Sequence, residues 1–523
     1  MCDNRLIEGL LQPAAYAHAV GKIELIETHI SWVILTGDIV YKINKPVDLG
    51  FLDFRTLAHR HHYCREELRL NRRWAPQLYI DVVPIVIRNG KPRAASRGNA
   101  VEYALRMRQF AQDMRLDHEL EAGRLGNEDM LALAAEIARR HQAAEAVPQC
   151  DRLLRVTQDL IRDNYDALEG AVPAAFLSAQ RQWMEERLEA YDGVMRERCA
   201  GGFFRECHGD LHLGNLVRLP GGIRAYDCIA FNRDLRQTDV IADCAFLTMD
   251  LRSRGASRLA AVFINHYLEV TGDYAGACLL PVYEVYRSLV RAKVFAIRQR
   301  ERRVSAAASD RRGIRRYSAL ARLLTRPRRP LLVAMTGLSA SGKTRLSDAL
   351  LAALPGIRLR SDLERKRAAG LDATEDSHSG IATGLYDPDT TVAVYARLLK
   401  IAGALLQSSQ NVIVDAAFLD ANRRNEAQRV AEAARAAFVI VRTVAPEATL
   451  RQRLLQRKTG PDESEANLAV LDYQLRTADP LTPAEHAVTV TVDTERPVDI
   501  AATLREVQRI AAANAPRARA GNR

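Results

Sequence analysis

Residues 331–344 read LLVAMTGLSASGKT. An unbroken apolar run enters a loop with the spacing GxxxxGK[ST], Gly337 to Thr344, and the helical pattern TRLSDALLAAL follows at once. Strand, loop and helix stand in the order that phosphate binding needs. Gly337 and Gly342 let the backbone turn tightly, so that the amides of Leu338, Ser339, Ala340 and Ser341 and the N-terminus of the following helix point at a phosphate. Lys343 is placed to reach the β and γ phosphates, and the Thr344 hydroxyl to ligate Mg²⁺.

Carboxylates and arginines follow at useful places. Asp362, in GIRLRSDLERKR, stands just past a second strand-like run, where a base can take the proton of an acceptor hydroxyl. Arg360, Arg365 and Arg367 flank it and can hold an anionic acceptor. Asp415 closes the apolar run NVIVD, a position from which a carboxylate orients Mg²⁺ or its water. Arg453 and Arg457 are four apart in LRQRLLQR and share one helical face, as arginines that close over a transferring phosphoryl group would. The apolar runs alternate with helical stretches, which predicts a parallel sheet wrapped by helices. On these motifs residues 330–513 resemble the small P-loop kinases, notably gluconate-kinase-like and zeta-toxin-like proteins. The resemblance implies ATP and Mg²⁺ but not gluconate, since no full sugar-acid signature is present.

Upstream, composition marks a boundary. The chain carries a net charge of +11, and Arg298–Arg329 alone holds twelve arginines against Glu301 and Asp310, a local surplus of +10. The remainder is therefore close to neutral, and a basic nucleic-acid face spread over a folded domain is not required. We read 306–329 as an Arg-rich helical linker, 1–305 and 330–513 as the domains, and 514–523 as a basic tail. The eight cysteines show no CxxC pair and read as reduced thiols. The N-terminus lacks a signal-peptide pattern and no apolar run is long enough to span a bilayer, so the expected location is the cytoplasm, without a membrane partner.

The first 110 residues are strand-rich (SWVIL, DIVYKI, LYIDVVPIVI, VEYALRM) and long helical patterns follow. Within the latter, HGDLHLGN at 208–215 and a strand-like run ending at Asp227 set three oxygen-bearing side chains around one centre. Asp210 is placed to orient or deprotonate an acceptor hydroxyl, and Asn215 and Asp227 to hold Mg²⁺. His208 and His212 are expected to brace this loop, and Asp239 and Asp243 to anchor the helical lobe. With AYDCIAFN, these residues resemble the aminoglycoside-phosphotransferase-type kinases, relatives of the protein-kinase fold, over about 25–300. The resemblance implies a strand lysine paired with a helix glutamate behind the nucleotide: Lys42, with Lys45 as alternative, and Glu67, with Glu66 adjacent. It also implies an adenine-contacting connection between lobes at Met107–Phe110. No GxGxxG loop precedes Lys42, and Cys-Ile rather than Phe-Gly follows Asp227.

ETHIS, KPVDLGFLDF, LNRRWAP, HGDLHLGNLV and DCIAFN together are similar to the bacterial bifunctional aminoglycoside phosphotransferase/ATP-binding proteins. The expected architecture is thus two domains of α+β and α/β type: a bilobal protein-kinase-like domain, then a P-loop NTPase domain. The expected activity is transfer of the γ-phosphoryl group of ATP to a small hydroxyl-bearing acceptor. The alternatives are an ATP-dependent regulatory or sensor protein with one inactive module, and a nucleic-acid-end or toxin-like kinase.

Overall fold

The computed structural model describes residues 4–48, 52–95, 97–148, 150–301, 307–371, 375, 387–457 and 467–514. The chain packs as two units, residues 1–169 with 184–250, and residues 170–183 with 251–523.

The first unit holds a six-stranded sheet built from β1 (Glu24–Glu27), β2 (Ser31–Leu35), β3 (Ile39–Asn44), β4 (Tyr79–Arg88), β5 (Lys91–Ala94) and β6 (Glu102–Arg108). Its order is β1-β2-β3-β6-β4-β5 and the pairings are antiparallel. Alternation decides its faces: Ile34, Tyr41 and Ile43 pack with Ile7 and Leu10 of the N-terminal helix, whereas Val40, Leu105 and Met107 turn to the other side. The helix Leu57–Asn71, capped by Thr56 accepting from His59 N, crosses between β3 and β4 and carries Glu67. After β6 the unit is mostly helical, with two small antiparallel pairs: β7 (Phe204–Glu206) with β10 (Gln237–Asp239), and β8 (Leu216–Leu219) with β9 (Gly222–Ala225).

The second unit holds a five-stranded parallel sheet of β11 (Leu331–Thr336), β12 (Ile357–Arg360), β13 (Val412–Asp415), β14 (Ala437–Val444) and β15 (Thr489–Asp493), in the order β12-β13-β11-β14-β15. Every residue of β11 is buried, as a central strand covered by helices on both faces must be. Leu331, Val333 and Met335 pack with Leu346 and Leu350 of the helix Lys343–Ala353 and with Ile510 of the C-terminal helix. The fold class is the expected one: a kinase-like α+β unit followed by an α/β P-loop unit.

Two features depart from the sequence reading. The helix Ser257–Thr271, assigned by sequence to the first domain, lies in the second packing unit and buries Ala261 in its core. Cys199 is disulfide-bonded, so the expectation of reduced thiols throughout fails there. Disulfide geometry depends on separation in space, and spacing along the chain carried no signal of it. Cys64, Cys207, Cys228, Cys244 and Cys278 are buried thiols outside any disulfide. The Arg-rich segment contains the helix Ala307–Leu324; its residues 302–306 and the tail at 515–523 lie outside the described residues. Among the described residues, no helix is long and apolar enough to cross a membrane.

Candidate functional site

In the first unit the residues singled out by sequence converge. Lys42 projects from β3, flanked by β2 and β6, and its Nζ lies 2.7 Å from Glu67 Oε1 and 2.6 Å from Asp227 Oδ1. Burial pulls the ammonium pKa down, but the charges of Asp227 and Glu67 outweigh it and hold Lys42 protonated. Glu67 is raised, chiefly by burial, against the opposing pull of Lys42. The two alternatives are engaged elsewhere: Lys45 pairs with Glu27 at 2.5 Å, and Glu66 with Arg69 at 2.7 Å and Arg236 at 2.8 Å.

The loop 208–215 is pinned from below. Asp243 accepts from the backbone N–H groups of His208 (3.0 Å) and Gly209 (2.9 Å), and Asp250 from that of Leu213 (3.2 Å). His208 Nε2 lies 3.0 Å from Tyr226 O, and His212 Nδ1 accepts from Gly214 N, so both histidines brace the loop. Asp239 holds Arg198 in a buried bidentate pair at 2.7 and 2.8 Å. Asn215 donates Nδ2 to Asp210 Oδ2 (2.8 Å) and Asp210 O (3.0 Å), which orients the Asp210 carboxylate and leaves the amide oxygen for a cation.

Asp227 has φ +59, the left-handed region that Asp tolerates better than most residues. Its backbone N–H donates to Tyr79 Oη at 2.9 Å, and the next amide, Cys228 N, to Asn71 Oδ1 at 2.9 Å. Tyr79 and Asn71 were not anticipated; their partners are about 150 positions away. Met107 and Arg108 end β6, after which Gln109 N donates to Asp38 O and Phe110 packs edge-on against Tyr226. The buried trio His141, Cys207 and Asp243 also has metal-ligand spacing. Asp243 is spent on the loop amides and on His141 Nε2 at 3.2 Å, so the cluster is a hydrogen-bonded brace.

In the second unit the loop Gly337–Thr344 leaves the end of β11. Gly337 has φ +146, and a Cβ there would lie 2.5 Å from Thr443 Oγ1 and 2.7 Å from Ser341 Oγ, so only glycine fits. Gly342, at φ +88, caps the helix that begins at Lys343 and Thr344. Lys343 Nζ donates to Gly337 O and Leu338 O, both at 2.9 Å, and so bends back over the start of the loop. Ser341 Oγ is 2.7 Å from Thr443 Oγ1, and Ala340 has φ +62. Gln474 Oε1, on the helix Leu468–Thr477, accepts from Ser339 N at 2.7 Å. Nothing in the sequence announced that contact.

Arg453 donates to Ala340 O (3.2 Å) and to Thr494 O (2.6 Å), gripping the loop through its carbonyl side. Arg457 ends the same helix, and its side chain lies outside the described residues. Asp415, the last residue of β13, is 6% exposed and lies 3.0 Å from Ser347 Oγ. Arg360 pairs in register with Asp415, so Asp362, two residues on and half-buried, opens at the same end of the sheet as the loop. This is the carboxyl-terminal edge of a parallel sheet, where such folds hold ligands. The flanking arginines are engaged: Arg365 Nη1 donates to Thr391 Oγ1 at 3.0 Å, and Arg367 pairs with Glu364 and donates to Glu269 O. Thr344 and Asp415 offer only oxygen ligands, as do Asn215 and Asp227, and both pairs suit a hard cation such as Mg²⁺.

Residues 332–481 match the family model described as an AAA domain. An uncharacterized protein of Mycobacterium tuberculosis (strain ATCC 25618 / H37Rv) is 28% identical over 453 residues, covering 86% of this chain and 89% of its own. One of Mycobacterium bovis matches to the same extent. Among solved structures, a choline/ethanolamine kinase family protein from Mesorhizobium loti is 14% identical with a TM-score of 0.35, covering 59% of this chain and 94% of its own. A gluconokinase from Sinorhizobium meliloti is 22% identical with a TM-score of 0.26, covering 36% and 95%.

Proposed function

We propose that this chain, a kinase-like unit fused to a P-loop unit, is an ATP-dependent phosphotransferase that transfers the γ-phosphoryl group to a small hydroxyl-bearing acceptor. The observation that carries the reading is the second unit's edge: GLSASGKT leaves a fully buried central strand, with Asp415 and Asp362 opening beside it. The amides of residues 337–344 hold the phosphates, and Lys343 turns from Gly337 O and Leu338 O to the γ-phosphate. Asp362 takes the proton of the acceptor hydroxyl, and Arg453 keeps the loop in shape through Ala340 O. Thr344 and Asp415 would hold Mg²⁺, which when bound neutralises charge on the β and γ phosphates.

The first unit is read as a second site of the same class. There Lys42, fixed by Glu67, would meet the phosphates, Asn215 and Asp227 would hold Mg²⁺, and Asp210, oriented by Asn215, would accept the hydroxyl proton. Both sites would work on small molecules in the cytoplasm, with neither nucleic acid nor membrane as partner.

The test is a screen of hydroxyl-bearing metabolites for phosphorylation by the full-length chain with ATP and Mg²⁺, repeated with Lys343→Ala and Asp210→Asn. Turnover that Lys343→Ala abolishes assigns the reaction to the P-loop, and turnover lost only in Asp210→Asn assigns it to the first unit. ATP binding without turnover on any acceptor would replace this reading with that of a nucleotide sensor.

A further inference from the structure

The helix Ser257–Thr271 precedes the Arg-rich segment in sequence but is built into the core of the second unit. Ala261 packs with Leu346 and Leu350, both on the helix that the P-loop opens. One turn on, Asn265 donates Nδ2 to Gly356 O (2.9 Å) and accepts at Oδ1 from Arg358 N (2.7 Å), so it satisfies main-chain groups of the edge strand β12. Glu269, one turn further, receives Arg358 Nη2 at 2.6 Å and Nε at 3.2 Å.

Arg358 is only 5% exposed, and its other arm continues inward. Nη1 pairs with Asp348 Oδ1 and lies 3.3 Å from Ser347 Oγ, and that hydroxyl lies 3.0 Å from Asp415 Oδ2 and 2.9 Å from Thr344 O. A buried line thus runs Glu269, Arg358, Ser347, Asp415. It begins on a helix outside the P-loop sequence module and ends at the carboxylate on the phosphate-binding edge. Asp348 already holds Nη1, so without the Glu269 charge the buried guanidinium would turn to the one further carboxylate whose charge acts on it, Asp415. An Arg358–Asp415 pair would compete with a divalent cation for the same oxygens.

We infer that Glu269 is a positioning residue of the P-loop site: by holding Arg358 off Asp415 and over Ser347, it keeps Asp415 oriented for the cation that accompanies the nucleotide. This rests on reading that edge as a Mg²⁺–nucleotide site. It further means that a fragment starting at residue 330 lacks part of its own active-site support.

The test measures binding of a non-hydrolysable ATP analogue to the full chain by calorimetry, with Mg²⁺ and with EDTA, in an Asp227→Asn background that silences the first unit's cation site. Glu269→Gln is expected to cut the Mg²⁺-dependent gain in affinity about tenfold, the usual lower range for losing a partner one shell out from a metal, with affinity in EDTA kept. Ser347→Ala, which removes one hydroxyl only, is expected to act in the same direction by about threefold, and decides the matter alone if Glu269→Gln does not fold. Variants that keep the whole gain overturn the inference. So does an equal loss in EDTA, which would make Glu269 a purely structural residue. A parent chain with no Mg²⁺-dependent gain would instead overturn the reading of the P-loop, and this inference with it.

Discussion

The two candidate sites each present a lysine, and the lysines are held in opposite ways. Lys42 is clamped by carboxylates from two separate elements, Glu67 and Asp227, the second 185 positions away. Lys343 rests on two carbonyls of its own loop, five and six positions back. The first site is therefore a tertiary construction, and its lysine is part of what holds the unit together. The second lysine is held by its own loop, although Gln474 and Arg453 reach that loop from farther along the chain.

That contrast breaks if matched substitutions behave alike. Lys42→Met should destabilise the first unit by about 3 kcal/mol, the low end for stripping one partner from a buried pair, since Asp227 is half exposed. Hydrogen exchange of β3 amides should then speed up about a hundredfold. Adding Glu67→Leu should restore part of the loss, because no uncompensated buried carboxylate remains. Lys343→Met should destabilise less than Lys42→Met, since the hydrogen bonds it gives up go to carbonyls of its own loop, while removing nucleotide binding to the loop. Equal destabilisation by the two substitutions would erase the distinction.

The same contrast explains what the sequence made legible. GLSASGKT could be read outright because its function is written in local backbone freedom: Gly337 admits no Cβ beside Thr443 Oγ1. The resemblance put Lys42 before Lys45 and Glu67 before Glu66, but setting the alternatives aside needed the fold, since residues close in sequence differ in the direction they face. Tyr79, Asn71, Gln474 and the line from Glu269 to Asp415 were silent. Those contacts span from 89 to 157 positions, and no spacing rule reaches that far. The helix Ser257–Thr271 misled for a related reason. Its apolar pattern says that it is buried, not against what.

Acid should separate the units further. In the first, burial holds the His208 pKa below its ordinary 6.5, against the charges of Asp243, Asp210 and Asp227, so the unfolded chain takes up this proton first. The His208 contribution is complete above 6.5 and is lost as pH falls below it, by up to about 1.4 kcal/mol per pH unit. In the second, burial pushes Glu269 up, but the neighbouring His266 and the charges of Arg358 and Arg360 hold it at about 2, below its ordinary 4.5. That contribution is complete above 4.5 and is lost only between there and about 2. Exchange-detected stability measured from pH 7 to pH 4 should therefore fall first in β3 and β6, and later in β11 and β13. His208→Gln should flatten the first-unit slope just below 6.5, and the reverse order of loss would contradict the assignment.

The smallest effect tests how self-contained the P-loop is. Gln474 Oε1 sits on Ser339 N, one of the amides assigned to phosphate, and Lys343 bends over the same end of the loop. A phosphate oxygen needs the donor that the carboxamide is using, so the two acceptors compete, and nucleotide binding must first break a hydrogen bond of net worth about 0.5–1.5 kcal/mol. Gln474→Ala should then tighten nucleotide binding by about twofold to tenfold, read by equilibrium titration, with little change in stability because Gln474 is only half-buried. Weaker binding would show the opposite arrangement: the carboxamide turns to the nucleotide when it arrives, and the helix Leu468–Thr477 contributes a side chain to the loop's work. The second site would then be assembled across distance, as the first is, and the contrast between them would narrow to their lysines.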